Sequence, residues 1–418
     1  THTVDTGATA GTVSVDNITA DDVVNAAEAA GLITVTGSAT GGDIAPGDVV
    51  TMVINGTTYT TTVQADGSWS VDVAGSDLAD DTSFDVVVSS TDAGGNDVTS
   101  TGTSTHTVDT GATAGTVTVD NITADDVVNA AEAAGLITVT GSATGGDIAP
   151  GDVVTMVING TTYTTTVQAD GSWSVDVAGS DLAADTIFDV VVTSTDASGN
   201  TVDSTGTSTH TVDTGATAGT VSVDNITADD VVNAAEAAGL ITVTGSATGG
   251  DIAPGDVVTM VINGTTYTTT VQADGSWSVD VAGGDLAADT SFDVVVSSTD
   301  GAGNPVDSTG SSTHTVDGAA PNAPGVTITE DANNDGYINA AELNGDVNVT
   351  ISLTGTGAVA GDTLTVNGVA IVLTQAQIDA GEVLTTVTAP ADGATLTVTA
   401  TITDAAGNTG AEGSDSAI

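Results

Sequence analysis

Apolar and polar residues alternate along short stretches of this chain. Trp69, Val71 and Val73 alternate with Ser70 and Asp72, and Phe84, Val86 and Val88 alternate around Asp85. That period of two marks strands with one face in a core. The same reading gives strands over Thr12–Asp16, Leu32–Thr40, Val49–Ile54, Thr57–Gln64 and about Val98–Val108. Asn55-Gly56 is a two-residue hairpin signal, and Ala65-Asp66-Gly67-Ser68 closes the next hairpin. Gly41–Asp48 reads as a loop, and a short helical piece is expected near Asn25–Ala30. About seven short antiparallel strands predict an all-β immunoglobulin-like sandwich. Isolated aromatics at strand period, Trp69 and Tyr59, are expected to pack rather than to bind ligands.

The pattern then repeats. Thr1-His2-Thr3-Val4-Asp5 recurs from Thr105, Thr209 and Thr313, a period of 104 residues. That is too long for a solenoid unit and fits a whole domain. The first three copies are nearly identical, with changes such as Asp80 to Ala184, Ser83 to Ile187 and Gly94 to Ser198. The fourth unit has diverged but keeps an Asn-Ala-Ala-Glu segment, the Asn367-Gly368 turn and the Thr403–Asn408 loop. The expected domains are residues 6–109, 110–213, 214–317 and a diverged 318–418, after a tail of a preceding repeat at 1–5. Near-identical copies, expected end to end, suggest that number and length matter more than a distinct site in each. The start inside a repeat suggests a fragment.

Charge narrows the chemistry. The 418 residues include no Lys or Arg against 56 Asp plus Glu, a formal charge of −56. Phosphate contacts need basic side chains, so ordinary nucleic-acid binding is excluded, and docking on an anionic membrane is disfavoured. No stretch is long and apolar enough to insert in a bilayer as a helix. Cys is absent, so no disulfide fastens the domains. Self-repulsion on this scale calls for counter-ions, and oxygen ligands without basic partners suit Ca²⁺.

One segment matches a calcium loop at every ligand position. Asp331, Asn333, Asp335 and Asn339 take positions 1, 3, 5 and 9; Tyr337 offers a main-chain carbonyl; Gly336 makes the turn; Glu342 closes the shell. The segment before it, Val326–Ile328, reads as a strand, so this is no helix–loop–helix hand. The first three repeats carry a weaker version: Asp16, Asp21, Asn25 and Glu28, then Asp120, Asp125, Asn129 and Glu132, then Asp224, Asp229, Asn233 and Glu236. There Asp22 stands in place of the glycine, in a turn that Asp tolerates.

An up-and-down strand order places alternate loops at opposite poles. The linker aspartates Asp109, Asp213 and Asp317 then approach the receiving loop of the next domain: Asp196 and Asn200 with Asp170 nearby, Asp300 and Asn304, or Asp404 and Asn408. A lone turn aspartate usually caps its own backbone. Convergence of several on one pole predicts further calcium ions at the junctions.

Asp21–Glu28, Gly67-Ser68-Trp69-Ser70-Val71 and Thr91-Asp92 with Gly95-Asn96 resemble the bacterial immunoglobulin-like extender repeats of RTX adhesins. The resemblance covers the whole chain and is closest over Thr1–Asp317. It implies type I secretion, an extracellular bacterial surface, roles in adhesion and biofilm, and a monomeric rod stiffened by calcium between neighbouring repeats. By that resemblance the linker aspartates and the Asp92-type residues are junction ligands. The missing loop glycine and the diverged fourth domain depart from the pattern, and no Gly-Gly-x-Gly-x-Asp nonapeptide occurs.

Two rivals remain. Paired acids such as Asp21-Asp22 could serve an enzyme, but they recur in three domains without a nucleophile–base set. His2, His106, His210 and His314 share one repeat position and read as exposed strand residues. The better rival is a calcium-dependent ligand module, mainly domain 4, for carbohydrate or a surface. Thr-rich strands such as Thr57–Thr62 could suggest ice, yet alternating Thr is ordinary strand surface.

Overall fold

The computed structural model describes residues 2–343 and 345–418. The chain forms two compact units, Thr1–Thr214 and Gly215–Ile418. Each holds two separate hydrophobic cores, so four domains fold on their own interiors.

In the first repeat, β1 (Thr12–Val15), β2 (Val23–Val24), α1 (Ala26–Ala29) and β3 (Leu32–Thr40) come first. β4 (Val49–Ile54), β5 (Thr57–Thr62), β6 (Ser68–Ala74), α2 (Gly75–Asp80) and β7 (Ser83–Thr91) follow. β8 (Asp97–Thr105) and β9 (Thr107–Val108) end the repeat. One sheet has the order β1-β3-β6 and the other β5-β4-β7-β8, packed as an antiparallel sandwich; β2 and β9 pair in parallel. The order is therefore not that of a meander. The chain crosses between sheets after β3, β5 and β6, the kind of connection found in immunoglobulin-like sandwiches. Strand direction still alternates, so the loops keep their poles.

Alternation drives the burial. Val35, Val50, Met52, Ile54, Trp69, Val73, Val86 and Val88 are all at most 1% exposed. Trp69 lies opposite Gly37 in the β3–β6 register. A Cβ on Gly37 would stand 2.4 Å from the indole and 2.1 Å from the Ser14 carbonyl, so only glycine admits the ring there. Asn55 (φ 48°) and Gly56 (φ 78°) make the hairpin turn that their sequence predicts. Repeats 2 and 3 reproduce these elements, with ends within a residue.

Three features depart from the sequence reading. Residues 75–80, to which the sequence reading assigns no element, form α2, whose Leu78 is fully buried. The final strand is split, because His106 turns inward. His106, His210 and His314 are buried rather than exposed: each ring Nε2 donates to a carbonyl, at 2.7 Å for Leu78 and 2.8 Å for Leu182 and Leu286. A phenylalanine ring packs edge-on against each imidazole, with ring centroids 6.3–6.4 Å apart, so the imidazole fills a core position. Only His2 is exposed.

The fourth domain keeps both sheets, built from Gly325–Ile328, Val347–Ser352 and Glu382–Val387, and from Val369–Val372, Thr363–Val366, Leu396–Thr403 and Gly413–Ala417. Its helix, Gln375–Ala380, precedes Glu382–Val387 and ends on Gly381 (φ 68°). The α2 position is taken by an irregular turn at residues 389–394.

Candidate metal sites in the loops and at the repeat junctions

In the fourth domain, Asp331 is 8% exposed and both its oxygens are used. Oδ1 accepts from the Asp335 N–H at 3.0 Å and Oδ2 from the Gly336 N–H at 2.9 Å. Asn333 Oδ1 accepts from the Asp335 N–H and Asp335 Oδ1 from the Tyr337 N–H, at 2.9 and 3.0 Å. Asn334 (φ 57°) and Gly336 (φ 83°) supply the left-handed bends. Glu342 Oε2 accepts from the Asn339 N–H at 3.0 Å and folds back over the loop. The Tyr337 side chain is exposed, which leaves its main chain as the useful group. Among the described residues no three Asp, Glu, His or Cys side chains suffice to hold a metal by themselves. A cation here therefore needs the amide and main-chain oxygens as well, and such a mixed, base-free oxygen set fits Ca²⁺. Beside the loop lies a cleft of about 500 Å³, lined by Tyr337, Ile338, Leu343, Pro390 and Ile418 among others.

The first three repeats keep the second of the loop's two left-handed bends but turn its acids elsewhere. Asp22 has φ 62°, the bend that Gly336 makes in domain 4. The chain end docks alike: Thr107 N donates to Asp22 O at 3.1 Å, and Ile418 N to Gly336 O at 2.8 Å. Asp22 Oδ1 accepts from the Ile18 N–H at 2.9 Å, closing the loop on itself. Asp21 accepts from the Thr19 hydroxyl and the Val23 N–H, which hold it below the usual carboxylate range, the hydroxyl most. Asp16 accepts from the Thr36 hydroxyl out on the sheet at 2.7 Å. Asn25 and Glu28 form a capping box at the start of α1. The structure thus pairs Asn25 with Glu28 but does not gather Asp16 and Asp21 with them. Asp120, Asp125, Asn129 and Glu132 repeat this arrangement, as do Asp224, Asp229, Asn233 and Glu236.

The junctions are built from three segments. β2 and β9 run side by side, so Asp109 emerges next to the start of α1; its N–H donates to Val24 O at 3.1 Å. The receiving turn of the second repeat is closed by Asp196, whose Oδ1 accepts from the N–H groups of Ser198 and Asn200. These bonds hold Asp196 below the usual carboxylate range, the Asn200 amide contributing most. Asn200 is 6% exposed. Its Nδ2 donates to Asp109 O and Asp196 Oδ2, both at 2.8 Å, and its Oδ1 accepts from the Ala26 N–H at 2.8 Å. Ser198 Oγ donates to Asp109 Oδ2 at 3.1 Å. Further along the linker, the Thr113 N–H donates to Asp147 at 2.5 Å and Gly115 N–H to Ser204 Oγ at 2.9 Å. Asp170 caps its own turn through Ser172.

The junction between repeat 3 and domain 4 has the same plan. Asn408 Nδ2 donates to Asp317 O at 2.8 Å and Asp404 Oδ2 at 3.0 Å, and Asn408 Oδ1 accepts from the Ala234 N–H at 2.9 Å. Asn233 Nδ2 donates to Ala406 O at 2.9 Å. In repeat 3, Asp300 and Asn304 close the equivalent turn, and Asp213 is the linker residue at the same repeat position. The sequence pointed to Asp109, Asp196 and Asn200 together; it missed the Ala26 and Ala234 N–H groups and Ser198. The helix-start signature Asn25-x-x-Glu28 could have exposed those N–H groups, since a helix start leaves amides unpaired.

No family model and no curated protein matches the chain. Solved structures do. One, described as a Ca²⁺-stabilized adhesin that helps an Antarctic bacterium reach out and bind ice, is 62% identical, covers 98% of this chain and 99% of its own, and superposes with a TM-score of 0.86. A second, from a bacterial ice-binding adhesin of 1.5 MDa studied for host cell surface retention, is 55% identical over 75% of this chain and 100% of its own, with a TM-score of 0.59.

Proposed function

The chain belongs to the immunoglobulin-like extender repeats of large bacterial adhesins, and we propose that it is a calcium-stiffened spacer on the outside of the cell. It projects a distal binding region away from the surface. The observation that carries this reading is the junction: a linker aspartate held against a closed acidic turn and the preceding helix start, in both compact units. A flexible tether needs no such construction. Calcium would be held by domain 4's loop, through Asp331, Asn333, Asp335, the Tyr337 carbonyl, Asn339 and Glu342. Asp109 and Asp196, and Asp317 and Asp404, would contribute at the junctions. When bound, the ion supplies charge neutralisation for a chain that has no basic residue of its own. The 62% identity to a calcium-stabilised adhesin supports the ion's identity.

The chain does this as a monomeric rod, without catalysis and without inserting in a membrane; no described helix is long and apolar enough to cross one. The test is a calcium titration of the full chain by calorimetry, with Mg²⁺ as control. Binding of several Ca²⁺ ions with a rise in melting temperature is expected. A chain indifferent to calcium would overturn the reading. A second reading, a ligand module in domain 4, rests on the cleft beside the Asp331 loop; a calcium-dependent hit for the full chain on a glycan array, lost on Tyr337→Ala, would favour it.

A further inference from the structure

We propose that Asn200 and Asn408 are not calcium ligands but hydrogen-bond clasps that assemble the junction for the ion. The inference rests on the spacer reading above. An Asn side chain offers one carbonyl oxygen and one NH₂ group. At Asn200 both ends are engaged, the nitrogen with two acceptors and the oxygen with one N–H. The oxygen faces the Ala26 N–H, which can only donate, and the nitrogen faces the Asp109 carbonyl, which can only accept. Those partners fix the amide's orientation. The oxygen a cation would need is turned to the helix start of the preceding repeat, where it accepts from the Ala26 N–H. The nitrogen holds the linker and its own turn's Asp196 at once. Asn408 does the same between Ala234, Asp317 and Asp404. Both side chains are buried, at 6% and 5% exposure.

The logic of the clasp is electrostatic. Asp109 and Asp196 repel each other until a cation arrives. An amide between them carries no charge and donates to both segments, so it brings the acids together without adding a third anion. Asn96, in the same turn of repeat 1, donates to the Asp5 carbonyl and to Asp92 and lies outside the labelled junction.

Asn→Asp substitution separates clasp from ligand. A carboxylate is a better calcium ligand than an amide, so a ligand would keep or tighten the ion. A clasp would lose its NH₂ donor and set a carboxylate against Asp196. The full chain has no Cys, so Ser70→Cys and Ser174→Cys place spin labels on exposed strand positions on either side of the first junction. In saturating calcium the parent distance distribution is expected to be narrow. Asn200→Asp is expected to broaden it and to lower the closed fraction roughly tenfold or more, taking two lost hydrogen bonds at ordinary net worth. Asn96→Asp is expected to leave it unchanged. A narrow distribution for Asn200→Asp, with calcium dependence equal or stronger, would overturn the clasp and make Asn200 a ligand. Amide exchange over Thr161–Thr166 and Ser172–Ala178 checks that repeat 2 is folded; should Asn200→Asp unfold it, Asn200→Ala with the same labels decides, since removal of a clasp broadens the distribution even in calcium. If the parent is equally narrow with and without calcium, the spacer reading loses its ion while the clasp stands on the variants alone.

Discussion

Gly75→Ala is expected to loosen the first junction from inside repeat 1. Gly75 begins α2 and is buried against α1. A Cβ there would stand 2.0 Å from the Glu28 carbonyl oxygen and 3.0 Å from the Ala29 Cα. Ordinary contact begins near 3.5 Å, so α1 must retreat by more than an ångström or α2 must unwind. The obstacle is backbone, which no rotamer change relieves. Overpacking of this kind costs about 1–3 kcal/mol. In a domain of this size each kcal/mol moves the melting midpoint by about 4–8 °C, so repeat 1 is expected to melt roughly 5–20 °C lower. The displaced helix carries the Ala26 N–H that meets Asn200, so the junction suffers as well. Calorimetry of the full chain reads the first effect and amide exchange over residues 26–31 and 200 the second. Gly179→Ala, with its Cβ 2.0 Å from Glu132 O, is the internal control and is expected to shift repeat 2 alike. An unchanged midpoint with unchanged exchange would refute the packing argument.

Other expectations concern single groups. Asp331→Ala removes the acceptor of two loop N–H groups and is expected to abolish the calcium-dependent part of domain 4's stability, about 2.7 kcal/mol at a hundredfold excess over Kd, whereas Asp16→Ala leaves it intact; equal effects in a melting assay would contradict the loop assignment. His106→Leu strands the buried Leu78 carbonyl and is expected to cost about 1–3 kcal/mol, read by urea unfolding, while His2→Leu costs nothing measurable. The Tyr59 hydroxyl donates to Asp77 at 2.6 Å, which holds the carboxyl below its ordinary 3.8 and the phenol above its ordinary 10.0. The pair's contribution is therefore full between those two values. It is lost as pH falls through the depressed carboxyl value and as pH rises towards the raised phenol value. Tyr59→Phe is expected to flatten both limbs of the profile of repeat 1's melting midpoint against pH; unaltered limbs would count against the pair.

Much of this molecule was legible because strand period and turn chemistry are local. Leu32–Thr40, Val49–Ile54 and the Asn55-Gly56 turn could be read directly, since inward valines and a left-handed Asn-Gly need no knowledge of the partner strand. The inward turn of His106 was not legible: its burial depends on the Leu78 carbonyl from a helix 28 residues away. Helix α2 escaped for a similar reason. Gly-Ser-Asp is loop-like by propensity, and only Leu78 packing into the core makes six residues helical. The acidic loop of the repeats resembles the domain 4 loop in sequence, and the two share the left-handed bend at Asp22 and Gly336. Which way its carboxylates point was decided by Thr19, Thr36 and Ile18, hydrogen-bond partners whose presence a ligand pattern does not weigh. The junction is legible in outline because chain direction alternates, but sequence shows only that Asn200 carries an amide, not that its oxygen faces the Ala26 N–H of the preceding repeat.

The most direct test of the spacer reading is small-angle X-ray scattering of the full chain in millimolar Ca²⁺ and again in EDTA, at matched ionic strength and with a Mg²⁺ control. Four sandwiches end to end, at about 3.3 Å per strand residue, should span very roughly 160 Å. The account predicts an extended, stiff particle of that length in calcium, which becomes flexible in EDTA while the domains stay folded. Superimposable curves from folded chains in both conditions would contradict it.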